Sequence, residues 1–240
     1  MIGARVIGKR RGKDEAEKPF WISFADLMSA LMVLFLVVMS VALLSVTKTL
    51  TEQERAQKQL DQDIDSVLVS FEQSAAKFPG IKVYRDRRVI DFGRRAQFDF
   101  NSSLLTGDQE KLLREFAPEI LSRANSERGR RVLKRVVVEG FTDKTGSYLG
   151  NLNLSLQRSQ RVLCAMFDRP LPSERPMTED QLEQIRELFL VGGYSFNAAK
   201  DTDEESRRVE MRLEFFGVGE KRPSTAGVPR GNLGTCALRG

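Results

Sequence analysis

Hydrophobic and polar positions along the chain fall into three regimes. From Phe20 to Val46 run 27 residues whose only charged side chain is Asp26. A helix rises about 1.5 Å per residue, so such a stretch would extend roughly 40 Å and cross a hydrocarbon core of about 30 Å. Residues 47–78 are largely polar, with apolar residues at Leu60, Ile64, Val67, Phe71, Ala75 and Phe78, a spacing of 4, 3, 4, 4 and 3 that draws one stripe along an amphipathic helix. Pro79-Gly80 closes it. Three readings of the stripe stand side by side: a linker helix packed on its own domain, the seam of a parallel dimer, or a segment lying across the mouth of a membrane path.

Residues 79–216 alternate strand and helix patterns. Lys82–Phe92 reads as one or two strands with Arg85-Asp86-Arg87 at a turn, and Asp108–Ala124 as a helix with Leu112, Leu113, Phe116 and Ile120 on one face. Leu133–Glu139 is a strand followed by a glycine-containing loop, Leu152–Phe167 a second helix and Gln181–Leu188 a short one. Leu190–Gly193 begins a strand or loop, and Arg208–Phe216 alternates as a final strand. This β-α-β-α-β order predicts an α+β domain, a small mixed sheet with helices on one face. Residues 217–240, rich in Gly, Pro, Ser and Thr, read as a loosely ordered tail.

Charge then orients the chain. Residues 1–19 carry Arg5, Lys9, Arg10, Arg11, Lys13 and Lys18 against Asp14, Glu15 and Glu17, which places this basic tail in the cytoplasm and everything after Val46 on the outer side, in the periplasm of a two-membrane cell. Trp21 fits an interfacial anchor at the cytoplasmic face. A cleavable leader would have a shorter apolar core, no acid and a clear small-residue cleavage site. The net charge of +5 thus resolves partly into a topology signal and does not imply direct nucleic-acid binding.

Composition narrows the chemistry. The chain has no histidine, which excludes Ser-His-Asp and Cys-His nucleophiles, histidine zinc sites and histidine proton shuttles; two cysteines are too few for a metal site built of four thiolates. Neither an enzyme, a metal nor a cofactor is expected, and proton chemistry falls to carboxylates. Cys164 and Cys236 both lie on the outer side and are expected to form a disulfide pinning the tail to the domain.

Asp26 stands inside the apolar stretch, where an ionised carboxylate costs a few kcal/mol or more unless it is protonated, paired or wetted. It is therefore a candidate proton or ion carrier, and a single span carrying it needs a multispan partner to supply the other wall of a path. The alternative is a packing role, with Ser23 and Ser29 hydrogen bonding between helices. A second constellation occupies residues 140–162, GFTDKTGSYLGNLNLSLQRSQRV. A carboxylate in a loop (Asp143) and a guanidinium on the following helix (Arg158) suit a zwitterionic ligand, the Asp meeting an ammonium and the Arg a carboxylate. The alternative is an Asx turn at Asp143 and an Arg158 that merely pairs with it.

Both segments carry resemblances. Trp21, Ser23, Phe24, Ala25, Asp26, Met28, Leu31, Met32, Phe35, Val38 and Met39 meet the pattern of the membrane helix of MotB-type stator subunits, in which the Asp binds protons. Thr142, Asp143, Gly146, Asn151, Leu154, Ser155, Arg158 and Val162 resemble the signature of OmpA-like peptidoglycan-binding domains, with FDFNSSLLTGDQEKLLREFAPEIL and EESRRVEMRLEF similar to that family's opening and closing segments. The resemblance implies that Asp143 and Arg158 grip diaminopimelate of a stem peptide while Thr142, Asn151 and Leu154 shape the pocket. Phe141 and Ser159 depart from the family's His and Ala, and Phe141 is expected to alter the pocket rim. Within the stator-type group, EAEKPFWISFADLMSALMVLFLVVM is more similar to the subunits of the Zorya antiphage defence system than to flagellar MotB. This implies a homodimer inside a pentamer of a ZorA- or MotA-like multispan subunit, anchored to peptidoglycan in the inner membrane, with H⁺ carried in preference to Na⁺. Residues 47–78 would then be a linker or a plug, and a passive cell-wall tether is the alternative function.

Overall fold

The computed structural model describes residues 17–168, 170, 172, 174–223, 231, 233–236 and 238. The basic tail expected at residues 1–19 lies largely outside them. The chain divides into two units, Met1–Arg55 and Ala56–Gly240.

A single helix, α1, runs Glu17–Ala75. The expected separation into a spanning helix ending at residue 46 and a linker helix starting at residue 47 is not a break in the backbone, because residues 20–78 contain neither glycine nor proline to interrupt it. In the first unit, residues 21–55 are exposed throughout. One stretch there is long and apolar enough to cross a membrane.

In the second unit the stripe predicted on residues 60–78 is spent on the core. Ile64, Val67, Phe71 and Ala75 are buried, Phe71 completely, and Leu60 and Phe78 pack against the same cluster. Of the three readings of the stripe, packing on its own domain is the one the structure shows, and these residues are not free to form a dimer seam or a plug. The compact unit accordingly begins at Ala56, not at residue 79.

The sheet has five strands in the order β1-β2-β5-β3-β4, where β1 is Lys82–Tyr84, β2 Val89–Asp91, β3 Leu133–Gly140, β4 Phe189–Gly193 and β5 Val209–Phe215. β3 pairs parallel with β4 and antiparallel with β5. Register places Val136 opposite Leu213 and Val138 opposite Met211 on the buried side. Alternate positions of the same strands carry Arg212, which reaches both Glu139 oxygens at 2.5 and 2.8 Å, and a paired Arg135 and Glu214.

Helices α2 (Gly107–Ala124), α3 (Glu127–Val132), α4 (Tyr148–Phe167), α5 (Glu179–Leu188) and α6 (Asp203–Ser206) complete the unit. Thr106 and Gln109 form a reciprocal cap at the start of α2, and Thr178 and Gln181 do the same for α5, satisfying N–H groups that would otherwise be unpaired. α4 begins four residues earlier than the periodicity of its apolar face predicts, because Ser147 accepts from the Gly150 N–H and caps it there. The short α3 and α6 have too few residues to show a period, and the sequence pattern did not reveal them.

Two glycines bring α4 close to the sheet. A Cβ on Gly140 would stand 1.9 Å from the Ser155 carbonyl oxygen, and one on Gly193 would stand 2.6 Å from Ser155 Oγ. This close approach sets the loop after β3 beside the α4 face that carries Arg158. The expected disulfide is present: Cys164 on α4 bonds Cys236, with Cα atoms 5.6 Å apart. The tail expected to be loosely ordered is further held by Arg222, which donates to Leu133 O at 2.8 Å, and by the Gly231 N–H on Glu183 Oε1 at 2.7 Å. Residues 224–230, 232, 237, 239 and 240 of that tail lie outside the described residues.

Two outcomes follow for the purified full chain in detergent. Gly140→Ala will destabilise the second unit by about 1–3 kcal/mol or more through overpacking, read as a lower urea midpoint. Cys236→Ser opens a loop of 72 residues and will lower stability by roughly 4 kcal/mol in the chain-entropy account, read by the same denaturation.

Candidate functional site

The first candidate is Asp26. α1 presents Trp21, Phe24, Asp26, Met28, Leu31, Met32, Phe35, Val38 and Met39 on its exposed surface. Ser29 donates to Ala25 O at 2.8 Å and Ser40 to Leu36 O at 2.7 Å. These two hydroxyls donate to carbonyls of their own helix. The Asp26 carboxylate thus stands on an apolar, exposed helix face.

The second candidate is built where four segments of the second unit converge: the loop after β3, the first half of α4, and the two segments joined by the Phe98–Arg207 backbone bond (2.8 Å). Asp143, 5 % exposed, accepts from the Thr145 N–H at 3.0 Å through Oδ1 and from Arg207 Nη1 at 3.2 Å through Oδ2. The Asx turn is therefore real, but the partner of the carboxylate is Arg207, not Arg158. Burial would raise the Asp143 carboxyl, and the Thr145 N–H and the Arg207 guanidinium outweigh it, holding the group below its ordinary value of 3.8.

Arg158 is fully buried. Its Nε donates to Ser102 O at 2.9 Å, Nη1 to Phe141 O at 2.7 Å and Nη2 to Asp99 O at 3.1 Å, and its guanidinium lies 5.0 Å from the Phe98 ring centre. Burial pushes it down to about 10, with the negative charge of Asp143 opposing and the positive charge of Arg207 adding to the fall. Asp143 and Arg158 are thus brought into one electrostatic neighbourhood without bonding each other.

The remaining predicted residues have distinct places. Asn151, buried, donates through Nδ2 to Thr145 O at 2.8 Å and Ser147 O at 3.2 Å, so it shapes the loop that carries Asp143. Leu154 is half-buried on α4. Thr142 gives its N–H to Ser195 O at 3.0 Å, and its Oγ1 is buried without a hydrogen-bond partner. An orphaned buried hydroxyl next to a carboxylate is a natural point of attachment for a polar ligand group. Phe141, expected at the rim, is instead 2 % exposed, stacked on Tyr194 with centroids 5.4 Å apart and covered by Arg208 at 4.2 Å. It reaches the site through its carbonyl and not through its ring.

Arg207 is the site residue that sequence reasoning missed. Its Nε donates to Phe98 O at 3.2 Å and its Nη2 to Glu204 at 3.3 Å, in addition to the bond to Asp143. The Arg-Arg pair before the last strand was visible as part of a motif, without a sign of which arginine faces Asp143. Among the described residues no group of acids and cysteines could hold a metal ion.

Asp143 yields a pH prediction. Its folded-state value is depressed, so the ionised group adds stability above the unfolded value, and that stability is lost as pH falls through the folded value. Asp143→Asn will be less stable than the parent at pH 7 by roughly 1–3 kcal/mol, the worth of hydrogen bonds to a charged group, and the gap will narrow as pH falls through the lowered folded-state value in paired urea titrations.

Comparison with known proteins agrees with this division. The OmpA family model matches residues 97–208, and a family model described as "Membrane MotB of proton-channel complex MotA/MotB" matches residues 8–52. Among solved structures, the periplasmic domain of Helicobacter pylori MotB is 16% identical with a TM-score of 0.38, covering 54% of this chain and 83% of that one. A putative MotB-like protein from Desulfovibrio vulgaris is 18% identical with a TM-score of 0.42, covering 68% and 99%. The Zorya protein ZorB of Escherichia coli O139:H28 (strain E24377A / ETEC) is 48% identical over 224 residues, 92% of this chain and 91% of that protein. With its apolar helix, its α+β domain of the OmpA family and this degree of identity over nearly its whole length, the chain belongs to the ZorB family of Zorya proteins.

Proposed function

We propose that the chain is the peptidoglycan-anchored stator subunit of a proton-driven inner-membrane motor acting in antiphage defence. The observation that carries the proposal is the joining in one chain of a lone carboxylate on an apolar helix and an OmpA-family domain with a charged, partly unsatisfied loop site. Asp26 carries protons, and a multispan ZorA- or MotA-like subunit supplies the other wall of the path. Two copies of this chain sit inside a pentamer of that partner. The amino terminus is cytoplasmic and the OmpA-family domain periplasmic, where Cys164 and Cys236 stay oxidised.

The energetics support a cycling carboxylate. Moving one unit charge through about 100 mV releases roughly 2.3 kcal/mol, enough to bias a conformational step at each proton passage. The domain supplies the fixed point against which such a step acts. Asp143, Arg158 and the unpaired Thr142 hydroxyl supply the charges and the polar group that the zwitterionic centre of diaminopimelate in the wall peptide would meet, with Asn151 and Leu154 shaping their surroundings.

Two measurements test the reading. Asp26→Asn, expressed with the native partner, will insert and assemble normally but lose both proton flux and protection in a phage plaque assay; retained protection would leave a passive tether. Asp143→Ala will abolish retention of the full chain on purified peptidoglycan, and normal retention would overturn the assignment of the wall-binding site.

A further inference from the structure

We propose that one flank of α4 and the free edge of β4 form the surface through which two copies of the OmpA-family domain pair, edge strand to edge strand, about a two-fold axis. The inference rests on the two-copy reading above and supplies a surface for it, since the stripe from Leu60 to Phe78 is spent on the core of a single copy.

The flank and the edge carry no exposed charge. Lys, Arg, Asp and Glu make up 30% of the chain, and a surface helix of such a protein ordinarily turns several of them to water. α4 runs for 20 residues with two charged side chains, Arg158 and Arg161, and both are buried. What it exposes instead is Leu149 at 73%, Leu156 at 41% and the uncharged Asn153 and Gln160, with Leu152 half-buried between the two leucines. Spaced three and four residues apart, Leu149, Leu152 and Leu156 lie on one flank of the helix. β4, Phe189–Gly193, has no charged residue at all, and Leu190 and Val191 are exposed on it. Flank and edge are continuous, because a Cβ on Gly193 would stand 2.7 Å from Leu156 Cγ.

The two edges of the sheet are guarded differently. β1, at one end of the strand order, carries Lys82 and runs into the Arg85-Asp86-Arg87-Arg88 turn, and charges of this kind keep another strand from adding there. β4, at the other end, has neither lysine, proline nor bulge to blunt it. Gly192 and Gly193 leave two of its positions without side chains, which lets a second backbone come close. Register sets Val191 level with the buried Val138 and Leu190 level with Val137, so the two exposed side chains stand on opposite faces of the edge. An added strand would meet apolar cover on both sides.

A second copy of the chain is the occupant that this face fits. A two-fold axis lays a surface on itself, so a charge near the axis meets its own copy; a face without charge escapes that repulsion. A different partner would be steered and selected by charges of opposite sign, and this face offers none to read. An axis normal to the sheet runs the two β4 strands antiparallel, joins two five-stranded sheets into one of ten, and brings the leucine flank of one α4 beside that of the other.

The two cysteines of the parent are bonded to each other, so an introduced thiol is the one that a cross-linker reaches. In membranes holding the full chain and its native partner, Val191→Cys will be captured as a covalent dimer by a short thiol-specific cross-linker, whereas Tyr84→Cys on the opposite edge will not. Adding Leu149→Glu sets like charges across the axis and will lower the cross-linked fraction of Val191→Cys about tenfold, with an unchanged thermal midpoint because Leu149 is too exposed to hold the fold. Light scattering of the parent purified in detergent counts the copies independently. A dimeric parent whose Val191→Cys variant fails to cross-link, cross-links no better than Tyr84→Cys, or is indifferent to Leu149→Glu overturns the assigned surface and leaves the two-copy reading standing; a monomeric parent overturns both.

Discussion

The charged domain site depends on one buried cation. Arg158 carries its charge where water is excluded, and the cost is visible in the fall of its value to about 10, still well above neutral pH. Three carbonyl dipoles offset that cost, and in doing so a helix side chain fastens the Asp99–Ser102 segment and the end of the β3 strand to the same point. Without the guanidinium the Phe141, Ser102 and Asp99 carbonyls would lose a shared charged donor, so the walls of the site and the charge within it are coupled. The close seating of α4 against Gly140 makes the geometry possible, since a single methyl there would push Ser155 and the turn of helix below Arg158 away from the strand.

Much of this was legible in the residues alone. The stripe from Leu60 to Phe78 announced a helix with one apolar face, because burial on a helix repeats every three to four residues. What it could not announce was the identity of the surface opposite, so domain packing and dimerisation remained equal until Phe71 was seen in the core. The strand pattern of Val209, Met211, Leu213 and Phe215 likewise showed its buried side. Arg158 was found through its resemblance to a family motif, yet its partners are backbone carbonyls, which leave no mark in a side-chain sequence. Arg207 was hidden for a related reason. It and Arg208 are adjacent at the entry to a strand and turn to different surroundings, one to Asp143 and the other to Phe141 and Glu210; only the path of the chain decides which is which.

The apolar helix poses the opposite problem to the domain. Here Ser29 and Ser40 donate to carbonyls four residues back, which lets these hydroxyls exist in an apolar setting.

The bond between Cys164 and Cys236 closes a ring of backbone that contains α5, β4, α6 and β5. Peptide cleavage anywhere inside that ring yields two chains that remain one molecule, since each severed end is still tied through sulfur or through the sheet. After a nick inside that ring the domain would keep its last strand, which a variant lacking the bridge could release. Durability of the domain is then a covalent property as well as a thermodynamic one.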